Sequence, residues 1–128
     1  MTTARDIITR SLRELGVVDA IETPSAEDAD VGLATLNDML AAWELDAIPL
    51  GLGTVTLNTD LAVPASHNEA LRANLTLRLA AVFGVQVPAL VLEQAARGYR
   101  NLQAAYARKR LLSADPALRW RRETLGEV

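Results

Sequence analysis

Cysteine is absent from this chain of 128 residues. Disulfides and thiolate metal sites are thereby excluded, and the composition suits folding in a reducing cytoplasm. Aromatic residues are scarce: one Phe, two Tyr and two Trp. Leu, Ala and Val must supply most of a core, which favours helices over a β-sandwich. His67 is the only histidine, so no His/Cys cluster exists for zinc. No apolar run approaches the ~20 residues of a membrane-spanning helix. The start, Met1-Thr2-Thr3-Ala4-Arg5-Asp6, lacks the apolar stretch of a signal peptide. These absences predict a protein made in the cytosol, with no membrane partner. Its length and its apolar half predict one domain with a real core.

Positive charge is scarce in the first half. Residues 1–69 hold twelve Asp or Glu against Arg5, Arg10 and Arg13, a net of −9, and residues 70–128 hold ten Arg or Lys against four acids, a net of +6. Such a chain can attract copies of itself head to side, as a heterologous interface requires. Two solvated faces with no partner are the plainer account, and the charges alone admit either.

The spacing of apolar residues predicts four helices. Ile7, Ile8, Ser11, Leu12 and Leu15 share one face over 3–15, and Gly16 supplies a stop. Ser25 with Asp28 forms a near capping box, after which a second helix runs to about Leu45 with Ala29, Leu33, Leu36, Leu40 and Trp43 on its buried stripe. Ser66 and Glu69 form a capping-box pair for a third helix, with Leu71, Leu75, Leu79 and Val82 on its face, broadened by Leu77, and Gly84 as its C-cap. A fourth starts at Pro88 and reaches Leu112, with Leu92, Ala95, Tyr99, Leu102 and Tyr106 as its seam. Gly98 inside it costs about 1 kcal/mol against Ala, which predicts a close packing contact. Between the second and third helices, Thr54-Val55-Thr56-Leu57 and Leu61-Ala62-Val63 flank a turn signal at Asn58-Thr59-Asp60. They predict a short β-hairpin or an extended loop, with Pro64 limiting the second segment to an edge. Strands this short must pack on the helices or pair with another chain. Val55, Leu57, Leu61 and Val63 are thus candidates for contact between copies. The fold class is mainly α: a helical domain over 1–115 and a basic C-terminal tail over 116–128.

Candidate chemistry is thin. Gly51-Leu52-Gly53 is not followed by a Lys-Ser/Thr pair, which argues against a phosphate cradle. Glu27, Asp28 and Asp30 lack the spacing and central Gly of a calcium loop, and helix-dipole complementarity explains them more simply. Glu44 and Asp46, beside Trp43, are the pair that peptidoglycan hydrolysis would use, since glycosidases need two carboxylates across a cleft. An ordinary amphipathic helix end has the same residues. The expectation is therefore no catalytic residue, no metal and no cofactor. Trp120 stands in a basic tail, Leu118-Arg119-Trp120-Arg121-Arg122, and Trp with Arg is the usual composition of an interface anchor. With Arg108, Lys109 and Arg110, these residues are candidates for partner binding. They can also lie near DNA phosphates, but no helix-turn-helix spacing suggests base-specific reading.

The stretch from Ala34 to Gly84 carries a family resemblance. A helix ends at Trp43, an apolar loop passes Pro49, Gly51 and Leu61-Ala62-Val63-Pro64, and a second helix reads Glu69-Ala70-Leu71, Asn74-Leu75, Leu77-Arg78-Leu79-Ala80 and Phe83-Gly84. This order resembles the head-to-tail connectors of tailed bacteriophages, above all the packaged-DNA stabilisation proteins of short-tailed phages. The adaptors of long-tailed phages are built from similar helices. The resemblance covers residues 4 to about 112. It implies a virion protein in the neck that binds under the portal ring, in about twelve copies arranged by symmetry. It implies closure of the DNA channel and a platform for the next tail protein. Trp43, Pro64, Glu69, Asn74, Arg78 and Gly84 would be framework, and the segment from Arg108 onward the arm that docks to the portal. The chain departs from the pattern twice: the C-terminal extension is shorter, and the acid-Gly step after the Trp is Asp46-Ala47. A virion-associated peptidoglycan hydrolase using Glu44, and a helical interaction module outside any phage, are the alternatives.

Overall fold

Thr3 starts the first helix. Its Oγ1 accepts from the Asp6 amide (3.3 Å) while the Asp6 carboxylate accepts from the Thr3 amide (3.0 Å), a complete capping box. The computed structural model describes residues 2–112, and among them four α-helices follow in order: α1 (Ala4–Glu14), α2 (Ala26–Leu45), α3 (Asn68–Phe83) and α4 (Ala89–Leu112). A short 3-10 turn, Ala65–His67, leads into α3. No described helix is long and apolar enough to cross a membrane. The fold is mainly α, as the periodicity predicts.

α3 touches all three other helices. α1 covers its first half, where Thr2 meets Asn68 and where Ser11 Oγ donates to the Arg72 carbonyl (3.3 Å). The buried Thr76 hydroxyl donates to the same carbonyl (2.8 Å). The core between α1, α2 and α3 is made of Ile7, Ile8, Leu12, Leu36, Met39, Leu71, Leu75 and Leu79, all fully buried. Burying each Leu or Ile contributes about 1.5–3 kcal/mol.

Several expectations need correction. Val82 is 57% exposed, because it lies in the last turn of α3, beyond the half that α1 covers. Leu33 is half-buried, and Met39 takes the inward place on α2. Leu92 is 51% exposed and Val91 is buried instead. The seam of α4 is shifted by one residue at its start, because its phase is set by backbone contact with α3. A Cβ on Gly98 would stand 2.7 Å from Ala70 Cβ and 2.9 Å from Ala70 Cα, so the two helices touch there through backbone. Asn74 reinforces the contact by donating to the Ala95 carbonyl of α4 (3.1 Å) and to the Ala70 carbonyl of its own helix (2.8 Å). The Ser66–Glu69 capping box does not form. The 3-10 turn places His67 at the cap position with no side-chain cap, and Ser66 Oγ lies 3.3 Å from His67 Nδ1 instead. Gly84 caps α3 in the left-handed conformation at φ 66°, as expected.

Between α2 and α3 the structure has the extended loop and not the hairpin. The reason lies in where the loop's backbone groups go. Helix starts leave amides without intrahelical partners, and here the Ala4 and Arg5 amides donate to the Thr59 and Leu57 carbonyls, each at 3.0 Å. Leu61 N donates to Thr2 O (2.9 Å). Asn37 of α2 holds Val55 from both sides, its Oδ1 accepting from Val55 N (2.8 Å) and its Nδ2 donating to Val55 O (3.1 Å). The two segments are spent on α1 and α2 rather than on each other. One antiparallel bridge, Thr3 with Asp60, is the remnant of sheet pairing.

α2 ends in a left-handed turn. Ala47 has φ 65°, and Ile48 N bonds back to Trp43 O (2.8 Å), which buries Ile48. The departure from the acid-Gly step therefore keeps the turn but puts a Cβ where the left-handed conformation costs about 1–2 kcal/mol. Ala47→Gly is expected to raise the unfolding free energy by about 0.5–1 kcal/mol in urea titration, part of the relief being offset by unfolded-chain entropy. Gly98→Val is expected to lower it by about 1–3 kcal/mol in the same assay, because the branched side chain cannot fit against Ala70.

Candidate interaction surface

The last helix sets the most prominent surface. α4 has 24 residues and α3, its antiparallel partner, has 16. The excess of eight residues is about 12 Å of helix. The 3-10 turn before α3 meets part of it: His67 Nε2 lies 3.3 Å from the Tyr106 hydroxyl, and the two rings meet edge-on with centroids 5.9 Å apart. Beyond that clasp the helix projects, and Arg108, Lys109 and Leu111 on it are exposed. Lys109 Nζ lies 5.8 Å from the centre of the Tyr106 ring, within cation–π range. Arg110 also belongs to this last part of α4. The other predicted partner residues, Leu118, Arg119, Trp120, Arg121 and Arg122, lie outside the described residues, as does the boundary at 115.

The predicted contacts between copies fare differently. Val55 and Leu61 are buried in this chain's own core, and Leu57 and Val63 are half-buried against it. The expectation that these four side chains present an apolar edge to a neighbour is corrected for Val55 and Leu61. Asn37 and the start of α1 draw the loop inward, and its side chains follow.

Of the framework residues, Trp43 is buried and packs on Tyr99 with ring centroids 5.8 Å apart. The Tyr99 hydroxyl donates to the Asp46 carboxylate (2.8 Å), and this bond to an anion raises the Tyr99 pKa above its ordinary value. Asp46 is thus a tether between α2 and α4. Glu44, two residues earlier, is exposed. Arg78 is exposed, and Glu69 lines a groove of about 250 Å³ between the start of α3 and α4, together with Ser66, Gln94, Arg97 and Asn101. The floor of the groove is the Ala70–Gly98 contact. Among the described residues, no three His, Cys, Asp or Glu side chains converge to hold a metal ion.

Sequence reasoning missed one polar junction. Arg72 on α3 pairs with Glu14 of α1 and donates from its other nitrogen to Gln94 of α4 (3.0 Å). One guanidinium spans three helices, a geometry that suits its planar fork. Arg72 stands next to Leu71 in a helical pattern, which says nothing about which neighbours will flank it. Asn37 was equally silent in the sequence.

Compared with known proteins, the chain matches no family model and no curated protein.

Burial of the His67 ring lowers its pKa from the ordinary 6.5. The unfolded chain then binds the proton more readily than the folded one, so stability falls as pH drops through about 6.5 toward the lowered value. Urea midpoints measured between pH 7.5 and pH 5 should therefore fall more steeply for the natural chain than for His67→Gln. Equal slopes would remove His67 from the account.

Proposed function

We propose that this chain is a structural protein of a bacteriophage virion, a head-to-tail connector that binds beneath the portal ring. In that place it closes the channel, helps to retain packaged DNA and offers a platform to the next tail or neck protein. The observation that carries the reading is the projecting basic end of α4. A helix end running six residues, about 9 Å, past the Tyr106 clasp suits insertion into a partner better than catalysis. Arg108, Lys109 and Arg110 lie on it, and Leu118 to Arg122 follow in the chain. The all-helical fold, with α2 closing on Trp43 and α3 ending at Gly84, agrees with the architecture that the resemblance implies.

The mechanism is assembly. The body is held together by its own core, so the chain folds before it meets a partner. A portal ring offers repeated sites, and docking of the basic arm brings neighbouring copies side by side. DNA passing through the ring would meet phosphate-neutralising charge without base-specific contacts. The function would be exercised in the neck of the virion after synthesis in the host cytoplasm.

Mixing the purified chain with portal rings from its source and weighing the product tests this directly. A stoichiometric complex with the full chain is expected. Arg108→Ala with Lys109→Ala should weaken it, and a chain truncated after Asp115 should stay folded by circular dichroism yet fail to join. Full joining by the truncated chain would remove the docking arm. No complex with the full chain would sink the connector reading.

A further inference from the structure

α2 and α4 carry two exposed stripes of opposite charge and the same spacing. On α2, Glu27, Asp30, Ala34 and Asp38 are exposed, at positions i, i+3, i+7 and i+11. On α4, Arg97, Arg100, Ala104 and Arg108 are exposed at the same four steps. Steps of 3, 4 and 4 keep all four residues on one face of a helix. The match continues at i+14, where Ala41 on α2 and the 74% exposed Leu111 on α4 stand. α2 contains no Lys or Arg at all, and α4 contains one acid, Glu93.

Within one copy these stripes do not meet. α2 packs on α1 and α3, while α4 packs on α3. Where the two helices meet, Trp43 and the cap residue Asp46 reach Tyr99, a register quite different from the one that aligns the charges. Among the described residues, none of the six charged groups is in a salt bridge.

We propose that α2 of one copy pairs with α4 of the next, parallel and in register. Glu27 then faces Arg97, Asp30 faces Arg100 and Asp38 faces Arg108. Ala34 lies against Ala104 between them, where two small residues let the helices approach closely. Leu111 covers Ala41 at the end. Every copy presents one acidic and one basic stripe, so the contact is heterologous and continues from copy to copy until it closes. The matched spacing is what commits the acidic stripe to a second copy of this chain. A basic stripe meant for nucleic acid would need no acidic counterpart of equal pitch. The inference deepens the connector reading and takes ring closure from it, while the pairing rests on the two stripes alone.

Charge reversal tests it, with the natural full chain and no portal present. Sedimentation equilibrium at about 0.03 M salt should show association that about 0.5 M salt disperses, since exposed pairs are screened within a few ångströms at high salt. Asp30→Arg with Asp38→Arg should weaken association at least about tenfold, and so should Arg100→Asp with Arg108→Asp. Mixing the two double variants, or joining all four changes in one chain, should restore association, because each reversed stripe then meets a complementary one. Circular dichroism keeps misfolding apart from lost pairing, and the fourfold variant does so independently. A natural chain that stays monomeric at low salt overturns the proposal. So does association that ignores either reversal, or a four-change chain that does not recover. Loss of DNA-duplex binding in Arg100→Asp with Arg108→Asp, without any self-association, would assign the basic stripe to nucleic acid and overturn it too. Failure to bind portal rings with self-association intact would count against the connector reading alone.

Discussion

Everything in this molecule depends on one helix having to touch three others. α3 is the centre of the packing, and its two sides solve different problems. Toward α1 and α2 it presents Leu71, Leu75 and Leu79, which bury apolar area in the ordinary way. Toward α4 it presents small residues, Ala70 and Ala73, so that backbone approaches backbone at Gly98 and Ala95. Close approach leaves no room for long side chains to tune the fit, so polar groups fix the phase. Asn74 reads the Ala95 carbonyl, and Arg72 reaches from Glu14 to Gln94. The slide and rotation of α4 are therefore set by the Ala70–Gly98 contact and reinforced by these hydrogen bonds.

The loop between α2 and α3 is the second consequence. It behaves as a strap over the start of α1, because α1 needs acceptors for its first amides and Thr59 and Leu57 supply them. Asn37 then fixes the other end of the strap on α2. A segment with strand-like alternation is thus used without a sheet. Its apolar residues enter the core, and its backbone ties two helices together.

The loop turns its apolar side chains inward. The end of α4 projects past the His67–Tyr106 clasp, and the exposed faces of α2 and α4 carry the acidic and basic charge. The charge asymmetry between the halves of the chain becomes an asymmetry between two helices whose charged stripes do not meet within one copy.

The sequence by itself determined the helices. The 3.6-residue period and the caps at Ser25 and Gly84 placed α2 and α3 closely, since local propensity and capping act within one turn. Gly98 announced its contact because a mid-helix glycine has a cost that packing must offset. Thr3–Asp6 was equally local, although a box with Asp in place of Glu is easily passed over. Tertiary structure decided what depends on residues far apart in the chain. It chose the loop over the hairpin, because α1 and Asn37 compete for the same backbone groups. It buried Met39 and Val91 and exposed Val82 and Leu92, because the reach of a neighbouring helix, not the period, sets where a buried face ends. The equal spacing of the two charged stripes was present in the sequence throughout. Only the fold reveals that both stripes are exposed and kept apart, because intramolecular pairing depends on where the backbone carries each helix.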